Sequence, residues 1–204
     1  MKPFTTLTAV AAPIDIASVD TDKIIPARFL RKLRTPTSGY EPYLFHDLRL
    51  DAEGKERPDF VLNQPAYRNA GILVAGPNFG CGSSREGAVY ALMDSGVRAV
   101  IAPSFGDIHY ANEIQNGMLP VTLAEDTCHA LREQLRAKPG SQLSIDLPAQ
   151  TVSDAQGTKY AFQIDEVYKD RLLKGLDEVG LVLQHLGAIE AFEQRHFNER
   201  PWLA

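Results

Sequence analysis

Apolar residues fall into short runs separated by turn-forming punctuation, and the spacing of the runs predicts the elements of the fold. Leu7 to Ile14 is a short apolar run ended by Pro13 and Asp15, which predicts a buried strand. Asp20-Thr21-Asp22-Lys23 then reads as a polar turn. Pro26 opens a predicted helical stretch with Phe29, Leu30 and Leu33 on one face and Arg28, Arg31 and Lys32 on the other. From Thr35 to Pro65 no period survives, because Pro36, Gly39, Pro42, Gly54, Pro58 and Pro65 break it. A long loop or flap, residues 35–65, with little regular structure is expected there.

Beyond Thr35 to Pro65 the pattern changes to strand and helix in alternation. Ile72–Ala75, Ala99–Ala102 and Leu119–Leu123 are short apolar runs. Helices are predicted between them, from Ser84 to about Ser95 and from Phe105 to Asn116, the second closed by Gly117. A third helix runs from Glu125 to Lys138 and stops before Pro139-Gly140. This alternation predicts an α/β layered core. Gln142–Leu147 and Tyr160–Ile164 read as a hairpin pair around Asp154–Lys159. Val182 to Phe197 reads as a helical tail, within a terminal segment 182–204, that docks on the core or on a partner.

Composition enters mainly through what it excludes. A chain of 204 residues with 44% apolar and 23% charged side chains suits a single globular domain over residues 1–204, able to bury about 70% of its unfolded surface. Lys and Arg number 21 against 26 Asp and Glu, a net charge of −5, which is the wrong sign for a general nucleic-acid or anionic-membrane binder. The only cysteines, Cys81 and Cys128, are too few for a disulfide framework, a four-cysteine zinc site or a complete iron–sulfur cluster. No metal or cofactor is therefore expected in this chain, and a cluster would have to be completed by another. Met1 to Ile16 has no basic start with an adjoining cleavage pattern, and no span approaches the ~18 apolar residues of a membrane helix. A cytoplasmic protein is expected.

The densest chemical signal is Gly76-Pro77-Asn78-Phe79-Gly80-Cys81-Gly82-Ser83-Ser84-Arg85-Glu86, between a predicted strand and a predicted helix. Its glycines let a ligand approach the backbone, and the helix mouth offers free N–H groups and the positive end of a dipole, so the loop can form an anion site. It fits neither standard nucleotide fingerprint, since Arg85 stands where a GxGxxG motif from Gly80 needs glycine, and Gly54-Lys55 is followed by Glu56. Ser83-x-x-Glu86 is equally a capping box, a structural device worth ~1 kcal/mol. Arg85 at the same mouth favours a carboxylate ligand, because a guanidinium binds a carboxylate through two parallel hydrogen bonds.

Other polar positions read as structure. Ser104-x-x-Asp107 repeats the capping signature without glycines or arginine. Cys81 beside Gly80 and Gly82 reads as a small buried residue rather than a nucleophile, Cys128-His129 lacks a second matching pair, and His109 reads as a packing histidine. Lys23, Arg28, Arg31, Lys32 and Arg34 form a basic run that is either a solvated face or an aid in gathering an anionic substrate.

Four motifs carry a resemblance: Asp20-Thr21-Asp22-Lys23-Ile24-Ile25-Pro26-Ala27-Arg28-Phe29, Asn78 through Glu86, Ile101-Ala102-Pro103-Ser104-Phe105, and Asn116-Gly117-Met118-Leu119-Pro120. In order and spacing the chain resembles the small subunits of 3-isopropylmalate dehydratases, of the aconitase superfamily. The likeness extends to Gly175–Leu181 and Gln184-His185, nearly the whole chain. The resemblance implies a swivelling β/β/α domain of aconitase type, with a layered sheet and flanking helices. It implies a heterodimer with a large subunit that carries a four-iron, four-sulfur cluster, and a hydro-lyase step on a small dicarboxylate in leucine biosynthesis. By the same resemblance Ser83 is the base that removes and returns the carbon-bound proton, Arg85 holds a substrate carboxylate with Ser84 assisting, and Asp22 orients the site or its arginine. One departure stands out: the usual motif continues Arg-Glu-His-Ala, whereas this chain reads Arg85-Glu86-Gly87-Ala88. Three other readings stay open, namely a related hydro-lyase subunit acting on citraconate, 2-methylmalate or homoaconitate, an anion-binding module without a catalytic partner, and a Cys81 hydrolase.

Overall fold

In the computed structural model, which describes residues 1–35, 37–83 and 85–203, the apolar runs become neighbours in one sheet. The helices and strands in chain order are β1 (Thr6–Ile14), α1 (Thr21–Ile24), α2 (His46–Arg49), β2 (Ile72–Ala75), α3 (Glu86–Asp94), β3 (Ala99–Ala102), α4 (Asp107–Asn116) and β4 (Leu119–Thr122). They continue as α5 (Glu125–Ala137), β5 (Gln142–Asp146), β6 (Thr151–Ser153), β7 (Lys159–Ala161), α6 (Glu166–Lys174), α7 (Glu178–Leu183) and α8 (Leu186–Glu199). Their order in the sheet is β4-β3-β2-β1-β5-β6-β7. The strands from β1 to β4 are parallel, and those from β1 through β5 and β6 to β7 are antiparallel. β1 therefore belongs to both halves: Ala11–Ile14 pair with β2, while Thr6–Val10 pair with β5. This is the α/β layering that the alternating runs predict.

Both faces of the parallel half are covered, which explains why its central strands β2 and β3 are apolar at every position. Leu73, Ala75, Val100 and Ala102 face Ala88, Val89, Ala91 and Leu92 of α3, together with Ile24, Phe45 and Phe79. Ile72, Val74, Ala99 and Ile101 face the other way, toward Ile114 of α4 and the stripe Cys128, Leu131 and Leu135 of α5. Arg132 continues that stripe and is also buried. Its guanidinium donates to the Ala75 carbonyl at 2.7 Å and to Asp15 at 2.9 Å, while Arg136 pairs with the same Asp15. One helix thus pins the ends of β1 and β2 where their exit loops begin.

Three expectations need correction. The polar Asp20–Lys23 turn is the short helix α1, whose N-terminal N–H of Lys23 donates to the Asp20 carboxylate at 2.7 Å. The stretch after Pro26 is a single 3-10 turn, Ala27–Phe29, and Leu33 is 83% exposed, so no helical face exists to bury it. The proposed hairpin partners do not meet: the intervening strand β6 pairs with both β5 and β7. The tail is two helices, and neither α7 nor α8 buries a side chain against the core. Among the described residues, no helix is long and apolar enough to cross a membrane.

Among its described residues the Thr35 to Pro65 segment holds α2 and two short 3-10 turns, yet it is anchored. Tyr40, Leu44, Phe45 and Leu62 are buried, and the Phe45 N–H donates to the Ile24 carbonyl at 2.7 Å. Arg34 and the Tyr40 N–H both engage the Asp94 carboxylate at the end of α3. Arg28 pairs with Asp47, whose carboxyl is held at about 2 by that guanidinium. The basic run is therefore partly structural: Arg28 and Arg34 tie the segment down. Phe45→Ala is expected to lower the unfolding free energy by about 3–5 kcal/mol, read from the urea midpoint. A segment resting loosely on the surface would show almost no change.

Candidate active site

In a sheet of this kind ligands collect outside the carboxyl ends of the parallel strands, where the exit loops diverge. Here the exit loop of β2, residues 76–85, lies between those of β1 and β3 and is bonded to both. On one flank the Gly80 N–H donates to the Val19 carbonyl at 2.7 Å, and the Thr21 N–H to the Cys81 carbonyl at 3.1 Å. On the other, the Phe79 N–H donates to the Ser104 carbonyl at 3.0 Å, and the Gly106 N–H to the Phe79 carbonyl at 2.8 Å. Asn78, Gly80 and Gly82 have left-handed φ values of 60°, 70° and 88°, which wind the loop tightly. At Gly80 glycine is required twice over, because a Cβ there would also lie 2.1 Å from the His109 ring.

Arg85 closes the loop as the N-cap residue of α3, and its Nη1 donates to the Asp22 carboxylate. Asp22 also accepts the Ala27 N–H at 3.2 Å, so its carboxylate joins the first motif to the second across 63 residues of sequence. Asp20, in the same motif, is spent on capping α1 and bridging backbone to Cys81. Ser83 is exposed on the loop. Ser84 lies outside the described residues. Thus three of the four site residues expected from sequence fall on one rim at the mouth of α3.

The capping reading of Ser83 does not hold. α3 begins at Glu86, its cap is Arg85, and among the described residues no side chain makes the cap bond. Glu86 instead accepts from Asn116 Nδ2 at 2.9 Å, which draws the fourth motif to the same helix mouth. Ser104 likewise does not cap α4, whose N-cap is Gly106; its hydroxyl accepts the Asn78 N–H at 2.9 Å. Asn78 Nδ2 reaches Ser18 Oγ at 3.2 Å. Asn78, Asn116 and Ser104 thus support the site, roles that only their motif positions hinted at.

At Gly87 a Cβ would lie 2.3 Å from Cδ2 of Leu30, the mobile end of a side chain in the turn after Pro26. Cys81 is half-buried in the loop. Cys128 is buried in α5 with its thiol pushed up to about 11 by burial, which suits neither a nucleophile nor a cluster ligand. Among the described residues no group of three or more His, Cys, Asp or Glu side chains is placed to hold a metal ion. The donor set does not fit an iron–sulfur cluster. A cavity of about 340 Å³ opens beside the end of β1, among Ile14, Ile16, Phe60, Tyr67 and Arg136, and neither Ser83, Arg85 nor Asp22 lines it. Ser83 and Asp22 are exposed on the rim, and Arg85 is one-third exposed.

Comparison with known proteins bears on the chain as a whole. Family models match in succession along the chain: the aconitase C-terminal domain over residues 1–126, LeuD_N over 129–166, and the C-terminal domain of the 3-isopropylmalate dehydratase small subunit over 178–204. A 3-isopropylmalate dehydratase small subunit from Gluconacetobacter diazotrophicus is 49% identical over 202 residues, covering 99% of this chain and 97% of its own. One from Roseobacter denitrificans is 46% identical over the full length of both. The crystal structure of a 3-isopropylmalate dehydratase from Methanocaldococcus jannaschii superposes with a TM-score of 0.64 at 27% identity, covering 92% of this chain and 99% of that one.

The loop's two left-handed glycines separate steric crowding from backbone strain. Gly80→Ala meets both a buried ring and an unfavourable φ, and is expected to cost about 2–5 kcal/mol in denaturant unfolding. At Gly82 the nearest atom to a new Cβ is 3.5 Å away, so Gly82→Ala is expected to cost only the backbone strain, about 1–2 kcal/mol. Equal losses would mean that the His109 ring does not confine the loop.

Proposed function

Because the chain belongs to the family of 3-isopropylmalate dehydratase small subunits, we propose that it forms a heterodimer with a large subunit and there interconverts 2-isopropylmalate and 3-isopropylmalate. The reaction is a hydro-lyase step of leucine biosynthesis that loses and regains water through 2-isopropylmaleate. We assign the four-iron, four-sulfur cluster to the large subunit, since this chain's cysteines do not suit it, and we assign the cytoplasm as its place of work. The contribution of this chain is then confined to proton transfer and anion binding.

Ser83 acts as the base that takes the carbon-bound proton and later returns it. A serine hydroxyl is a poor base, so its oxyanion must be favoured where it forms. The N-terminus of the nine-residue helix α3 and the Arg85 guanidinium supply positive potential at that point. Arg85 also binds one carboxylate of the dicarboxylate through paired N–H donors, with Ser84 assisting. Asp22 holds Nη1 and so fixes the plane in which the guanidinium is offered. The observation that carries this reading is the Arg85–Asp22 contact at the mouth of α3, beside an exposed serine that no cap requires.

Loss of a general base costs roughly 10² to 10⁴ in turnover. Ser83→Ala, assembled anaerobically with a cluster-loaded large subunit, is expected to lose kcat within that range while its melting temperature stays within about a degree of wild type, because no cap is removed. Turnover of 2-isopropylmalate within tenfold of wild type would remove Ser83 from the mechanism.

A further inference from the structure

The buried pair His109 and Glu113, one turn apart on α4, lies directly beneath the Gly80–Cys81 stretch of the site loop. Neither side chain is exposed at all, and His109 Nε2 is 3.0 Å from Glu113 Oε1. At that distance the carboxylate faces the Nε2 edge of the ring, and among the described residues no other partner meets either ring nitrogen or either carboxylate oxygen. The ring is held between two parts of the loop. The Phe79 ring meets it edge-on at 5.6 Å, and the Gly80 backbone lies so close that a Cβ would fall 2.1 Å from its Cγ and Cδ2. Gly106, which precedes α4, is packed so closely on the carbonyl of Gly80 that a Cβ there would lie 2.7 Å from it.

Packing alone does not call for this pair. A phenyl ring and a leucine would fill the same volume without removing two ionisable groups from water, and such apolar replacements are commonly neutral or stabilising. What a carboxyl adds is orientation, since it singles out one edge of the imidazole and fixes which face meets Gly80. Burial pushes the Glu113 carboxyl up, with His109 pulling it partly back. Only Cys81 and Gly82 separate Gly80 from Ser83, so a tilt of the ring moves the serine. A displacement of about 1 Å at a reacting group can cost ~10²-fold in rate.

We propose that His109, oriented by Glu113, is a positioning residue that sets the height and angle at which the Gly80–Ser83 loop presents its serine. This rests on the reading of Ser83 as the base. Glu113→Leu, in the assembled enzyme, is expected to lower kcat at least tenfold with KM for 2-isopropylmalate changed less than threefold. Glu113→Gln, which keeps a polar group against the ring, is expected to keep kcat within threefold. In the isolated chain, the amide NMR resonances of Gly80, Cys81 and Gly82 are expected to shift or broaden in Glu113→Leu and to stay in place in Glu113→Gln. If Glu113→Leu alone fails to fold, His109→Phe with Glu113→Leu removes the orphaned imidazole and takes its place in both measurements. Wild-type kcat in either apolar variant, or equal losses in Glu113→Gln and Glu113→Leu, would overturn the proposal. The resonances decide independently of turnover: if they behave as expected while Ser83→Ala stays active, the reading of Ser83 fails and the positioning of the loop stands.

Discussion

The backbone bonds that fasten Phe79 and Gly80 to the loops on either side are the constraint on which the site depends. A glycine-rich loop of ten residues left to itself samples many conformations, and fixing each residue costs on the order of 1–2 kcal/mol. Here the β1 exit loop and the approach to α4 receive that loop almost as two further strands would, with bridges at Asp20–Cys81 and Phe79–Phe105. Motifs far apart in sequence become neighbours because each supplies one side of this clasp. The chemistry is placed at its open end.

The ion pairs around the clasp divide by burial into those that build and those that present. Arg132 is almost wholly enclosed and satisfied by the Ala75 carbonyl and Asp15, so it braces the strand ends from beneath, and breaking such a contact leaves a stranded charge. Arg85 and Asp22 are one-third and one-half exposed, where solvent screens their attraction to a contribution of about 1 kcal/mol or less. Their contact therefore adds little to stability. Its worth is geometric, since it holds a guanidinium at a helix mouth while leaving it in reach of an anion.

The parallel core was legible because strands covered on both faces are apolar throughout, as Ile72–Ala75 and Ala99–Ala102 are. The rim was legible through residue types: glycines, a serine and an arginine have few reasons to cluster at a helix start. What escaped was decided by distant contacts. Phe29, Leu30 and Leu33 have helical spacing, but Leu30 packs against Gly87 and Tyr40 packs beneath, so the chain turns instead of continuing. β6 is three residues long and its neighbours set its pairing. Ser83 and Glu86 have the spacing of a capping box, yet Asn116 takes the glutamate. Likewise the four-residue step from His109 to Glu113 is plain in sequence, while the glycine pressed on the ring is not.

The division of β1 between two sheet halves also dictates an order of events at the ribosome. Its C-terminal half, Ala11–Ile14, has its partner strand β2 in the first 75 residues to be made. Thr6–Val10 must wait for Gln142–Asp146, since the strand that pairs with them belongs to the far side of α5. At elongation rates of about 5–20 residues per second this leaves an open edge for on the order of ten seconds. Thr6 and Thr8 alternate along that edge with Leu7 and Ala9, and an unpaired strand is a template for other chains. The nascent protein thus carries an adhesive edge through most of its synthesis, and α5 and β5 end that exposure when they complete the sheet.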